Sequence, residues 1–167
     1  TRSYYLPYFV ILLALGFGIS ACSEPARQAT TQSGLPAADS DNGQITLPSQ
    51  FGAAVVADSL GRVRHIAVRD NGDIYVKMRR GKEGQSILAL RDTDGDGRVD
   101  QRESCGDYSG TGIGIYQNSL YASSDTCVYR YAFQGEQLLP NTSGEKIAGG
   151  FISQGQHAGK TFTFDQA

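Results

Sequence analysis

The sequence predicts an all-β chain and, within that class, a β-propeller. Three observations lead there. From Leu47 onward no stretch spaces its apolar residues at a helical period. Seventeen of the chain's twenty-one glycines lie there among short runs rich in Val, Ile, Tyr and Phe, the pattern of short strands joined by tight turns. Those runs also recur. Ile115 lies 47 residues after Val68 in an equivalent run, and Phe164 lies 49 after Ile115. A period of about 40–50 residues with four short strands per unit is what propeller blades produce. The same strands would also serve a small β-sandwich, which is the alternative fold.

The elements follow in order. Val68-Arg69-Asp70-Asn71-Gly72-Asp73-Ile74-Tyr75-Val76 reads as a strand, an Asn-Gly turn and a second strand, a hairpin signal. A third strand is expected over Ile87–Arg91 and a fourth near Arg102–Ser104. The pattern restarts at Ile115-Tyr116-Gln117-Asn118-Ser119-Leu120-Tyr121-Ala122, with a third strand over Cys127–Phe133 and a fourth near Glu145–Ala148. Phe162-Thr163-Phe164 opens it once more. This gives about two blades plus the first strand of a third over residues 47–167. A blade buries its faces only against neighbours, so the stretch is expected to be the N-terminal part of a longer ring.

Between the third and fourth strands of the first unit lies D-T-D-G-D-G-R-V-D-Q-R-E, Asp92 to Glu103. A hard cation such as Ca²⁺ takes six to eight oxygens, and a twelve-residue loop offers them at positions 1, 3, 5, 7, 9 and 12. Those positions are Asp92, Asp94, Asp96, the backbone carbonyl of Arg98, Asp100 and Glu103, with Gly97 at the sharp turn. Carboxylates packed this densely repel one another unless a cation neutralises them. Flanking strands in place of helices point to a structural calcium clip and not to a sensor.

Tyr4–Ile19 is almost wholly apolar, Arg2 precedes it, and Ile19-Ser20-Ala21-Cys22 follows. That order is the charged, apolar and small-residue plan of a secretory signal, and its last four residues resemble a lipobox. The expectation is a signal peptide over residues 1–21, lipidation at Cys22, and a flexible tether over residues 22–46 of Ser, Thr, Gln, Asp and Pro. The protein would then be lipid-anchored in a bacterial cell envelope, at the outer membrane facing the periplasm. A plain membrane anchor is the competing reading, although the run is short for a ~30 Å core. A net charge of −2 argues against a nucleic-acid partner, and Arg79-Arg80-Gly81-Lys82 reads as a solvated turn. With Cys22 assigned to lipid, Cys105 and Cys127 remain, either a disulfide of an oxidising compartment or two buried thiols.

Several of these segments together resemble the glucose/sorbosone dehydrogenase family. They are Leu47–Gly52, Gly61–Val68, the Asp92–Asp100 loop, Gly112-Ile113-Gly114-Ile115, and Gln156-His157-Ala158-Gly159-Lys160-Thr161-Phe162. The resemblance covers residues 47–167. It implies a six-bladed propeller that oxidises a sugar alcohol or aldehyde with pyrroloquinoline quinone (PQQ) and Ca²⁺, and passes electrons to an acceptor the sequence does not identify. It further implies that His157, just ahead of a blade's innermost strand, is the general base, as an imidazole near neutrality suits. Gln156 stands where the family commonly has an acidic residue. Lys160 is the nearby candidate for a quinone carboxylate, and His65 is expected to be a bystander. A non-catalytic, calcium-stabilised propeller that binds a glycan or a partner protein is the alternative function.

Overall fold

The expected runs of the first two units form strands in the computed structural model, which describes residues 36–80, 84–140, 143–153, 155 and 159–165; Phe162–Phe164, expected to open a third unit, is not in a strand. Cys22 and His157 lie outside the described residues. Strands β1 (Val63–Val68), β2 (Ile74–Met78), β3 (Ile87–Arg91) and β4 (Gln101–Cys105) pair antiparallel in sequence order. Strands β5 (Ile113–Tyr116), β6 (Ser119–Ser123), β7 (Cys127–Ala132) and β8 (Glu145–Gly149) repeat the arrangement. Every link joins neighbours, because a two- to twelve-residue connection between alternating runs reaches only the adjacent strand. At the β5–β6 hairpin Gln117 and Asn118 both take positive φ, 42° and 55°, the backbone that matches the twist of the flanking strands.

The two sheets meet through their first strands, β1 beside β5, with β2 also touching β5. Farther out, large side chains fill the space between them. Tyr75, Ile87, Ala89 and Cys105 come from the first sheet, and Leu120, Ala122, Tyr131, Phe133 and Leu138 from the second. The strand period explains this set, since Tyr75, Ala89 and Ile87 share one face through the pairs Tyr75–Ala89 and Lys77–Ile87. The Tyr75 and Phe133 rings lie 5.3 Å apart, and the Tyr75 hydroxyl donates to the Leu138 carbonyl at 2.8 Å. Two meanders splaying from their inner strands are blades. A sandwich would hold its sheets about 10 Å apart across their whole width.

Alternating strand direction sorts the loops to two ends. The β1–β2 and β5–β6 turns, the acidic loop and residues 133–140 share a hairpin end, where Arg69 donates to Asn118 at 3.2 Å and to the Gly135 carbonyl at 3.0 Å. Residues 79–80, 84–86, 106–112 and 124–126 share the opposite, connector end. There Ser86 donates to the Tyr108 carbonyl at 2.6 Å.

Three expectations need correction. Residues 39–45, expected within the tether, are bound: Asp39 accepts from the Val55 amide at 2.8 Å, and its own amide donates to the Ala53 carbonyl at 2.8 Å. Cys105, one residue beyond the expected fourth strand, ends β4. Cys105 and Cys127 are both buried free thiols, so the disulfide is not formed. They belong to different sheets and have separate neighbours. Burial pushes the Cys105 thiol up to about 11, partly offset by Lys77, whereas Cys127 lies 3.5 Å from the Thr126 hydroxyl.

Lys77 is the unexpected member of the interior, fully buried on the face that carries Tyr75. Its ammonium donates to the Tyr108 carbonyl at 3.0 Å and sits 4.1 Å from the Tyr108 ring centre. Burial lowers its pKa to about 8. Between pH 8 and 10.5 the unfolded chain therefore binds a proton that the folded chain has released. Lys77 costs stability below pH 8, and the cost fades as pH rises toward 10.5. The Tyr108 carbonyl and the Ser86 carbonyl, 3.4 Å from the ammonium, keep other donors, Ser86 Oγ at 2.6 Å and the Met78 amide at 2.9 Å. Lys77→Met is expected to raise unfolding stability at pH 7 by about 1–3 kcal/mol. The gain should vanish near pH 10 in urea titrations.

Candidate functional site

Chemistry-bearing residues gather at both ends of the blades. At the hairpin end, positive φ at Gly95 (81°) and Gly97 (87°) turns the acidic loop back on itself, which glycine does without steric cost. Asp92 accepts from the amides of Gly95 and Gly97, each at 2.8 Å. The Gly97 bond, foremost among several, holds its carboxyl below the usual carboxylate range. Asp100 accepts from the Thr93 hydroxyl at 2.5 Å. Oxygens of Asp92, Asp94 and Asp100 lie within 4.8 Å of one another. Three hard oxygen donors that close together fit a cation such as Ca²⁺.

The rest of the expected ligand set is placed differently. The Asp96 carboxylate accepts from the Arg98 amide at 2.7 Å. Glu103 lies in β4 opposite Ala89 and accepts from Gln101 at 2.9 Å. Its strand face turns it toward a groove of about 600 Å³ between the blades, also lined by Arg91 and Glu136. The twelfth position of the loop pattern requires the chain to turn back toward the cation, and entry into β4 at Gln101 prevents that.

A feature the sequence did not reveal covers this loop. The Arg98 side chain pairs with Asp39 and donates to the Val55 carbonyl at 3.0 Å, and the Val99 amide donates to the Val56 carbonyl at 2.9 Å. Pro36 packs directly on Gly97. The segment ahead of the first blade is thus clasped by the acidic loop. No local signal announces a contact between residues 43 to 61 positions apart.

At the connector end, residues 159–165 run along the glycine face of β5. A Cβ on Gly114 would come within 2.9 Å of the Phe164 ring, so only glycine admits this approach. Phe164 stacks on Tyr116 at 4.9 Å and meets Tyr121 edge-on. The Lys160 carbonyl accepts from Ser123 Oγ at 2.6 Å. His65, on the innermost strand, has its Nδ1 3.0 Å from the Thr111 carbonyl. A carbonyl only accepts, so Nδ1 carries a proton. Thr111 Oγ1 is also 3.2 Å from where a Cβ on Gly159 would sit. His65 and Lys160 therefore belong to one corner, and His157 precedes Lys160 by three residues in the sequence.

No family model and no curated protein matches the chain. A solved structure does, the holo form of the pyranose dehydrogenase PQQ domain from Coprinopsis cinerea, with a TM-score of 0.53. The chain folds as part of a β-propeller. The match has 17% sequence identity and covers 64% of this chain and 25% of that one, so the likeness is one of fold. This chain spans about a quarter of that chain's length.

Proposed function

We propose that this chain is part of a quinoprotein dehydrogenase of the glucose/sorbosone type, which oxidises an alcohol or aldehyde group of a sugar. The observation that supports the reading is the likeness of the paired blades to a PQQ domain, together with the order of hairpin, acidic loop, glycine run and histidine in the sequence. Bound quinone supplies the two-electron acceptor. His157 takes the proton of the substrate hydroxyl, and the Lys160 ammonium offsets a cofactor carboxylate at the same end. The test adds PQQ and Ca²⁺ to the intact apoprotein and follows sugar-dependent dye reduction. Reduction by at least one sugar is the expected result. No quinone binding and no reduction across a broad panel would leave a non-catalytic propeller that binds a glycan or protein.

Ca²⁺ belongs to the same proposal, held by Asp92, Asp94 and Asp100 at the hairpin end as a structural clip. Asp92→Ala combined with Asp100→Ala is expected to abolish tight Ca²⁺ binding. A ligand that binds only the folded state contributes about 2.7 kcal/mol at a hundredfold excess over Kd. The wild-type melting temperature should therefore fall on adding chelator, and that of the double variant should not move. Equal chelator responses would overturn the clip.

The envelope anchor is proposed on sequence grounds, from Ile19-Ser20-Ala21-Cys22. Two or more acyl chains at Cys22 give stable membrane attachment where one does not. Cys22→Ser is expected to shift the protein from the membrane fraction to an uncleaved or soluble form. Unchanged processing and fractionation would refute lipidation.

A further inference from the structure

The inner face of the first blade changes character along its length. Cys105, Ile87 and Ala89 are apolar and buried against the second blade. Toward the hairpin end the same face turns polar. Glu103 pairs with Ala89, and Gln101 pairs with Arg91 one row farther out. Strand alternation keeps all of these on one side of the sheet. A groove of about 600 Å³ opens beside them, within the range of small-ligand sites. Its opposite wall comes from the connection between β7 and β8, where Gln134, Glu136 and Gln137 are exposed and Leu138 and Pro140 are buried.

The polar groups of the groove decide what it can take. Arg91 is neutralised by Asp73, which accepts from it at 2.6 and 2.7 Å, so the carboxylates of Glu103 and Glu136 set the local charge. They repel an anion. A bare cation would satisfy them but leave unused the donor N–H groups of three carboxamides, Gln101, Gln134 and Gln137. Gln101 spends one N–H on Glu103, at 2.9 Å. Each carboxamide offers donors and an acceptor, and each carboxylate offers acceptors only. A hydroxyl group donates and accepts, so a neutral polyol matches the whole set where neither ion does. The apolar surface of Leu138 and Pro140 suits the C–H face of a sugar ring.

We propose that this groove is a binding site for a neutral saccharide, held between the two blades at the hairpin end. It goes beyond the quinoprotein reading and does not depend on it. The groove holds a glycan without transforming it, and it is separate from the corner where His65 and Lys160 meet. Both blades contribute, Gln101 and Glu103 from the first and Gln134, Glu136 and Gln137 from the second.

The test titrates the intact apoprotein, free of quinone, with cellotetraose and maltotetraose by calorimetry. Spermidine and inorganic phosphate serve as the cationic and anionic probes. Wild type is compared with Glu136→Ala combined with Gln137→Ala, both exposed on one wall, and with Gln101→Ala on the other. At least one tetrasaccharide is expected to bind wild type. The double variant should bind it about 10–100-fold more weakly, the worth of two or three hydrogen bonds, at an unchanged melting temperature. Gln101→Ala should weaken it by about 3–10-fold, the worth of one. Equal binding by wild type and the double variant would put the saccharide elsewhere and overturn the assignment. So would binding of neither tetrasaccharide, or of spermidine or phosphate in their place. Each of these results leaves the quinoprotein reading standing, since that reading fails on the absence of PQQ binding.

Discussion

His157→Asn is expected to lower sugar-dependent turnover of the intact, quinone-loaded protein by about 10²–10⁴-fold, the usual worth of a positioned general base. Quinone and Ca²⁺ binding should stay nearly unchanged, because neither needs the proton affinity of the imidazole. Wild-type activity should fall as pH drops through the histidine pKa, since only neutral imidazole accepts the proton. His65→Asn is the companion measurement. Its Nδ1 is already committed to the Thr111 carbonyl, and it is expected to cost much less. A larger loss at His65 than at His157 would move the base to the innermost strand of the first blade.

The second large effect is structural. Asp73 is 1% exposed and accepts two bonds from Arg91, at 2.6 and 2.7 Å, and one from Asn71 at 2.9 Å. Burial alone would raise its pKa. The bonds from Arg91 and Asn71 and the charges of Arg91 and Arg69 outweigh that and hold it below the usual carboxylate range. Arg91 also donates to the Glu136 carbonyl of the second blade at 2.9 Å. Asp73→Ala leaves a largely buried guanidinium without its counter-ion and is expected to cost about 2–4 kcal/mol at pH 7. A depressed carboxylate pKa contributes stability above the unfolded value, near 4, and loses it as pH falls through the folded one. The gap between wild type and Asp73→Ala in urea unfolding should therefore narrow in acid. A gap that stayed constant down to pH 2 would contradict the pairing.

Most of the architecture was legible because strand periodicity and turn chemistry act locally. Ile74–Met78, Ile87–Arg91 and Cys127–Ala132 form strands where their alternation placed them, and Gln117-Asn118 turns where its conformational tolerance allows. The fourth strands were readable in position but not in consequence. Placing Gln101–Cys105 in a sheet withdraws Glu103 from the acidic loop, because ladder pairing with Ala89 commits its backbone. A sequence pattern lists possible ligands, and backbone direction decides which of them meet.

Residue order alone thus established the all-β class, the repeat, the acidic loop and the glycine run that lets Phe162 and Phe164 approach β5. Each depends on a preference acting within a few positions of the chain. Tertiary structure alone decided that Lys77 is buried, that Cys105 and Cys127 stay apart as thiols, that residues 39–56 clasp the acidic loop, and that the β1–β2 register shifts at Arg64. Those outcomes depend on which face of one sheet meets another and on register between strands. Both are set by the packing of residues far apart in the chain, and no short stretch encodes them.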